Sequence, residues 1–284
     1  NAIYLDQNGK IFDPQNGSQN LKEKKIKFIG DPQKRIEEDY LRILRFIRFS
    51  IQYKYFDKDI KTLRVIQKNL IGITKISKER IFSELKKIVC LENMTEIIYN
   101  KEICEIFNII FPEFRYLDRL KGIGFQEYKK FIKTENNLLL ALLLVDGTDN
   151  HIYFSHKYKV SNYLKEYFVF IHKYFNEINK TNNFFGKDLK KNIFYHGKTG
   201  VKSLAKFYFI SRPKKNYINL NKILKKIDSE NIPTFPITGK HLLQQGFRSG
   251  KKVGEVLKKI EQQWIKNNFN LNNEELKNII KKYN

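Results

Sequence analysis

The chain has 284 residues, 41% of them hydrophobic, enough for buried cores in roughly two or three modules. No apolar run reaches the length of a membrane-spanning helix, Leu138 to Val145 included, so no membrane association is expected. The two cysteines, Cys90 and Cys104, lack the spacing of a metal site and fit a reducing compartment, so the cytoplasm is expected.

The formal net charge of +24 predicts a polyanionic partner. Such a surplus of lysine and arginine would bind RNA phosphates electrostatically, with an affinity that falls steeply with salt. The chain is also rich in Lys, Asn, Ile, Phe and Tyr, a composition that AT-rich codons produce by themselves. Both interpretations of the charge stay open at this point.

Residues 1–30 carry the clearest β pattern of the chain. Two short strands flank the turn Asp6-Gln7-Asn8-Gly9, whose Asn-Gly pair is typical of a hairpin. A short helix near 18–24 and a strand at 26–29 are predicted to follow. Beyond Asp31 the pattern is helical nearly throughout, and helices are predicted at 35–49, 60–69, 78–91, 94–110, 125–133, 137–145, 161–178, 200–210, 220–229, 252–266 and 273–282.

Residues 35–49 are predicted to form one helix with two faces. Asp39 and Arg42, at i and i+3, would then project side by side. A carboxylate accepts hydrogen bonds and a guanidinium donates them, so the pair matches the amino group and ring nitrogen of cytosine or adenine. Guanine and uracil present the reverse order. The alternative is a solvated helix face with an ordinary ion pair.

Asp57 and Asp59 have the Asp-x-Asp spacing of a metal pair, but neither a strand nor a glycine-rich turn precedes them. Helical spacing of apolar residues follows, so a helix N-cap is the favoured interpretation. Ser77 is predicted to cap the helix at 78–91, where Arg80 and Glu84 could pair at i,i+4.

Motifs in four parts of the chain occur in the same order in one enzyme family. They are Asp13-Pro14-Gln15-Asn16-Gly17 with Ile26-Lys27-Phe28-Ile29-Gly30; Arg35 with Glu38-Asp39-x-x-Arg42-x-x-Arg45-x-x-Arg48-Phe49; Ser77-Lys78-Glu79-Arg80-Ile81-x-x-Glu84-Leu85; and Phe235-Pro236-Ile237-Thr238-Gly239-Lys240 with Val253-Gly254-Glu255-Val256-Leu257. In these motifs the chain resembles the class II tRNA nucleotidyltransferases, the CCA-adding enzymes, and the related bacterial poly(A) polymerases. One departure is Asn20, which stands where the family has an aspartate.

The resemblance implies a mostly α fold with the remnant of a mixed α/β nucleotidyltransferase head, consisting of a β-hairpin plus a strand. It implies four parts: the head remnant at 1–30, the nucleotide-selecting neck at 31–92, a helical body at 93–180 and a tRNA-binding helical tail at 181–284. The catalytic carboxylates and their Mg²⁺ belong to a head that we expect upstream of Asn1, so the chain is expected to be a fragment that is inactive alone.

The resemblance also assigns roles to individual residues. Nucleotide binding falls to Asp39, Arg42, Arg45 and Arg48, and a supporting role to Arg35, Glu38, Glu79 and Arg80. The glycine-rich turn at 246–254, entering a helix, exposes backbone N–H groups, and Arg248, Lys251 and Lys252 add positive charge there. Contact with RNA and a solvated turn are equally compatible with that pattern, and the resemblance to the family's tail favours RNA.

The expected function is therefore template-independent addition of CMP and AMP, from CTP and ATP, to the 3′ end of tRNA. A poly(A) polymerase of the same class is the first alternative, because the selecting helix accepts ATP in both. A non-catalytic helical RNA-binding protein is the second.

Overall fold

The computed structural model describes residues 3–55, 60–180, 183–212 and 217–283. Contacts divide the chain into two compact units, one of Asn1–Lys180 with Lys206–Asn219 and the other of Thr181–Ala205 with Leu220–Asn284. Helices dominate both, so the predicted mostly α fold is confirmed. The four-part division into head remnant, neck, body and tail stays a prediction.

Within residues 3–180 the structure has two strands and ten α-helices. They are β1 Tyr4–Leu5, β2 Ile11–Phe12, α1 Gly17–Lys22, α2 Pro32–Glu38, α3 Leu41–Tyr53, α4 Ile60–Lys68, α5 Lys78–Val89, α6 Lys101–Ile110, α7 Phe125–Thr134, α8 Asn136–Leu144, α9 Asn150–Lys157 and α10 Asn162–Lys180. Short 3₁₀ helices cover Leu70–Lys75, Met94–Tyr99 and Leu117–Gly122. The helices that follow are α11 Leu189–Ile210, α12 Tyr217–Ser229, α13 Gly239–Gln244, α14 Lys251–Lys266 and α15 Asn273–Tyr283. α11 consists of two helical segments joined at Gly197, whose φ of 68° and ψ of 163° are not helical.

The predicted hairpin forms, with Tyr4 opposite Phe12. Its turn is held by the Asp6 carboxylate, which accepts from the N–H groups of Asn8 at 2.9 Å and Lys10 at 2.8 Å. The strand predicted at 26–29 is wrong, because the segment has no strand conformation. It packs side chains instead of pairing its backbone, and the ring of Phe28 stacks on Phe46 of α3 at 5.6 Å.

The core of the first unit is built around α3, α5 and α8. Every residue of α8 from Leu138 to Leu144 is buried, as the continuous apolar run indicates. The half-buried Arg119 caps the end of this helix by donating to the carbonyls of Leu142 at 2.9 Å and Val145 at 2.7 Å. No helix in the described part of the chain is long and apolar enough to cross a membrane.

The second unit has its own core beneath α13 and α14, formed by Leu242, Phe247, Val253, Val256 and Ile260. Trp264 closes one end of this core, with the rings of Phe194, Phe235 and Phe269 within 5.6 Å of it. α13 begins with a capping box in which Thr238 and His241 exchange hydrogen bonds.

The helix predicted at 35–49 is broken, which corrects the sequence-based prediction. α2 ends at Glu38 and α3 begins at Leu41, while Asp39 adopts an extended conformation at φ −155° and ψ 101°. The Asp39 carboxylate accepts from the N–H of Leu41 at 3.2 Å, a local turn that competes with helix formation. The predicted caps Asp57 and Asp59 lie outside the described residues.

Gly72 sets the position of Tyr40, the residue that follows Asp39 at this break. A Cβ at Gly72 would lie only 2.0 Å from Cε1 and 2.1 Å from Cδ1 of the Tyr40 ring. Because Gly72 has no side chain, the ring of Tyr40 can pack directly against the 3₁₀ helix Leu70–Lys75.

We predict that Gly72→Ala lowers the free energy of unfolding by about 1–3 kcal/mol, the usual cost of overpacking a filled site. Chemical denaturation followed by circular dichroism measures the change. Gly254→Ala in α14 is the control, since nothing lies within 4 Å of its added methyl group. We expect it to be neutral or to stabilise by about 0.5–1 kcal/mol. Equal stability of the Gly72 variant and the parent would contradict the packing described here.

Candidate functional site

Asp39 lies at the break between α2 and α3, where its carboxylate is fixed from two sides. The N–H of Leu41 donates to one oxygen, and Nη2 of Arg80 on α5 donates to both, at 3.2 and 3.1 Å. The Asp39 side chain is 25% exposed. The carboxylate is thus oriented by the first N–H of α3 and by Arg80 of α5, while part of its surface still faces solvent.

Arg42, in the first turn of α3, is held by a separate set of partners. Its Nη1 donates to the carbonyl of Arg35 at 2.6 Å and to the carboxylate of Glu38 at 2.8 Å. Arg35 donates to the same Glu38 oxygen, so Glu38 bridges two guanidinium groups. Both of these bonds use Nη1, so among the described residues Nε and Nη2 of Arg42 keep donor capacity.

Asp39 and Arg42 do not form an ion pair with each other in the described structure, where each is bound to another partner. The predicted single helix through both residues is wrong, because Asp39 lies in the break between α2 and α3. The two residues are still adjacent in the turn, where the N–H of Arg42 donates to the carbonyl of Asp39 at 3.0 Å. The Asp39 carboxylate keeps acceptor capacity, and the Arg42 guanidinium keeps donor capacity. An acceptor beside a donor at the start of α3 is the arrangement that can read one edge of a base.

Arg45 and Arg48 have different surroundings. Arg45 is exposed on α3. Arg48 donates through Nε to the carboxylate of Glu84 on α5, and its guanidinium lies 4.2 Å from the ring centroid of Phe49. Arg48 therefore joins α3 to α5 in this structure.

Glu84 was not singled out as a site residue from the sequence, yet it anchors this part of the fold. Its side chain is only 3% exposed and also accepts from Lys87 at 3.2 Å. Burial by itself would raise the pKa of Glu84, but hydrogen bonds and charge from Arg48 and Lys87 outweigh it and lower the pKa. The predicted pair of Arg80 with Glu84 is wrong, because these residues bind Asp39 and Arg48 instead.

Glu79, in the first turn of α5, forms an exposed ion pair with Lys159 at 2.8 Å. The hydrogen bond from Lys159 lowers the pKa of Glu79. The predicted cap of this helix is present, with the Ser77 hydroxyl accepting from the N–H of Arg80 at 3.4 Å.

Arg248, Lys251 and Lys252 lie at the start of α14, and all three are exposed. Gly246 at φ 93° and Gly250 at φ 142° adopt backbone conformations that favour glycine. Phe247 is buried between them, so the turn is anchored in the core of the second unit while its basic side chains face solvent. First-turn N–H groups of a helix add partial positive charge at such a place.

The described residues include no group of three or more His, Cys, Asp or Glu side chains that could hold a metal ion. The family resemblance assigns the Mg²⁺ to the catalytic head and not to these residues. Cys90 and Cys104 are free thiols, and burial raises the pKa of each.

We predict that Glu84→Gln lowers the free energy of unfolding at neutral pH by about 1.5–3 kcal/mol, because Arg48 loses a charged partner. The pKa of Glu84 is depressed in the folded state, so its contribution is complete above the ordinary value of 4.5 and is lost as the pH falls through the folded value. Denaturation at several pH values should show the difference between parent and variant shrinking in acid. Glu79→Gln, which breaks an exposed pair, is the control and should change little. A difference that stays constant with pH would contradict the role of the Glu84 charge.

Two family models match the chain. The model described as "tRNA nucleotidyltransferase domain 2 putative" matches residues 130–280. The model described as "Probable RNA and SrmB- binding site of polymerase A" matches residues 56–117, which include α4, α5 and α6.

Individual proteins and solved structures that resemble the chain are also tRNA nucleotidyltransferases. Human mitochondrial CCA tRNA nucleotidyltransferase 1 is 30% identical over 99% of this chain and 64% of its own length. The CCA-adding enzyme of Ligilactobacillus salivarius is 27% identical over 97% of the chain and 67% of its own length. The structure of the Bacillus stearothermophilus CCA-adding enzyme in complex with CTP matches with a TM-score of 0.66 at 20% identity, over 94% of this chain and 67% of that one.

The chain thus spans just under two thirds of the length of its human relative, 64%. The match with the B. stearothermophilus enzyme supports the fold, and the family model covers more than half of the residues. The chain belongs to the class II tRNA nucleotidyltransferases, the family of the CCA-adding enzymes.

Proposed function

We propose that this chain provides the nucleotide-selecting and tRNA-binding parts of a CCA-adding enzyme. The reaction would add CMP and AMP, from CTP and ATP, to the 3′ end of tRNA without a template. The observation that supports the proposal most is the junction at Asp39, where a carboxylate and a guanidinium are each held by other residues and each keep hydrogen-bonding capacity.

In this proposal Asp39 accepts a hydrogen bond from the amino group of cytosine or adenine. Arg42 donates to the adjacent ring nitrogen. Guanine and uracil would place a carbonyl against the carboxylate and an N–H against the guanidinium, leaving polar groups unpaired. Arg80, Arg35 and Glu38 act as positioning residues, because their contacts are with Asp39 and Arg42.

Three further roles stay proposals on weaker support. Arg45 is exposed and could reach the nucleotide's phosphates, whereas a nucleotide contact by Arg48 would have to coexist with its bond to Glu84. Glu79 would support the junction through α5. Mg²⁺ would be held by the carboxylates of the family's catalytic head and not by the residues described here.

The tRNA would contact the basic turn formed by Arg248, Lys251 and Lys252, which we call the glycine-turn site. This proposal is supported by the exposure of the three side chains, which lie beside the N-terminus of α14. We keep the cytoplasm as the expected compartment, although the human, mouse and zebrafish relatives are mitochondrial.

A bacterial poly(A) polymerase is a second candidate, favoured by the match of residues 56–117 to a polymerase A model. Joining the chain to the N-terminal segment of a curated relative gives a protein in which both activities can be assayed. Incorporation of CTP and ATP is measured on tRNA lacking its CCA end. CMP followed by AMP supports the proposal, and addition of AMP alone would identify a poly(A) polymerase.

We predict that Asp39→Ala or Arg42→Ala, in that joined protein, relaxes the preference for CTP and ATP over UTP and GTP. The expected loss is about 5- to 150-fold, which corresponds to about 1–3 kcal/mol for one unsatisfied polar group. The control is Lys34→Ala, an exposed position of α2. Unchanged nucleotide choice in both variants would favour the remaining alternative, a helical RNA-binding protein whose junction is a relic.

We predict that Lys251→Ala with Lys252→Ala weakens tRNA binding and lowers the slope of log affinity against log salt by roughly 1.4 to 1.8. Filter binding at several salt concentrations measures both quantities. Lys277→Ala with Lys281→Ala removes the same charge from exposed positions of α15 and should have the smaller effect. Equal effects of the two double variants would mean that net charge, and not this site, binds the tRNA.

A further inference from the structure

A second basic surface lies at the other end of α14, within the same unit. It is an open pocket of about 670 Å³ between the start of α11 and the end of α14. Four lysines and one aspartate line it, which gives it a positive charge, and two aromatic rings and three further side chains complete the wall: Lys187, Lys190, Lys191, Lys266, Asp188, Tyr195, Phe269, Gln262, Ile265 and Asn268. We call this the aromatic pocket.

The two rings of the aromatic pocket differ in exposure. Tyr195 is 48% exposed. Phe269 is half-buried and held edge-on by Trp264, with ring centroids 4.9 Å apart. Asn268 at φ 53° and Phe269 at φ 64° both adopt a left-handed backbone, which asparagine tolerates and a bulky phenylalanine rarely takes. This turn fixes Phe269 against Trp264 at the wall of the pocket, while Tyr195 offers an accessible face.

The charged face of α14 connects the glycine-turn site to the aromatic pocket. At 100° per residue, Lys251, Lys258, Lys259 and Lys266 lie within one exposed stripe, which also carries Glu255 and Gln262. A helix of 16 residues spans about 24 Å at 1.5 Å per residue. The stripe is too long for one mononucleotide, and its charge suits the phosphates of a polynucleotide strand.

We propose that the aromatic pocket takes an unstacked RNA base, with flanking phosphates on its lysines and the same RNA running along α14 from the glycine-turn site. Flat aromatic rings beside lysines are the usual means of binding single-stranded nucleic acid without sequence preference. This proposal rests on the proposed function only in taking RNA as the partner. It adds a base-binding pocket and a path for the strand along α14.

The test compares Tyr195→Ala and Tyr195→Phe with the parent chain. Tyr163→Ala, at a 71% exposed tyrosine of α10, is the matched control. The probes are tRNA lacking its CCA end, a short single-stranded oligouridine, and the same sugar–phosphate strand without bases. Anisotropy of labelled RNA gives the affinities, and Trp264, the one tryptophan of the chain, reports occupation through its contact with Phe269.

We expect Tyr195→Ala to weaken binding of tRNA and oligouridine by about 5- to 150-fold, the range for loss of one stacked base. Its salt slope and its affinity for the strand without bases should match those of the parent. Tyr195→Phe should bind as the parent does, because it keeps the ring. Lys191→Ala with Lys266→Ala should instead lower the salt slope, and RNA should change the Trp264 emission of the parent.

Unchanged affinity in Tyr195→Ala, while Lys251→Ala with Lys252→Ala still weakens binding, would overturn the aromatic pocket and leave the proposed function intact. Equal weakening for strands with and without bases would also overturn it, since no base would then be bound there. If the parent binds none of the three probes, both the inference and the proposed RNA contact fail.

Discussion

The break in the helical path at Asp39 is the constraint on which the rest of the candidate site depends. A continuous helix would place Asp39 and Arg42 on one face, where they could neutralise each other as an i,i+3 pair. The extended residue instead turns the carboxylate toward Arg80, while Arg42 binds Glu38 and a backbone carbonyl. Because the pairs at this junction are partly exposed, each contributes only about 0–1 kcal/mol, so their effect is mainly orientation.

The stability of the junction comes from what lies beneath it. Ile43, Ile47 and Ile51 of α3 are fully buried, and so are Leu85 and Ile88 of α5. The pair of half-buried Arg48 with buried Glu84 fixes the two helices in one register, since a slip would leave the Glu84 charge without a partner. A rigid support matters for selection, because a donor and an acceptor that moved would tolerate the wrong base.

The sequence predicted most of the helices because apolar residues recur at helical spacing, as in α5, α10 and α14. It did not predict the break, because the pattern of Ile36, Ile43 and Ile47 continues across it and only the capping tendency of Asp39 signals the end. It also missed α9 and the first half of α11, because polar and glycine residues there interrupt the helical spacing of apolar residues.

Candidate residues were predictable where a charge pattern had a chemical meaning, and less so where partners come from distant segments. Arg80 lies 41 positions from Asp39, a separation at which no local rule applies. Glu84 did carry a signal, since it falls on the apolar face of α5 between Ile81 and Ile88 and a charge there needs a buried partner. The aromatic pocket had no such signal, because its lysines and rings come from two segments of the chain.

The central claim is that Asp39 acts as a hydrogen-bond acceptor for the amino group of the incoming base. Asp39→Asn tests it most directly, because the amide keeps the shape of the side chain while adding a donor. In the joined protein, the ratio of CTP to UTP incorporation on tRNA lacking its CCA end is compared between parent and variant. The account predicts that this ratio falls by about 5- to 150-fold. A ratio equal to that of the parent would show that Asp39 does not read the base.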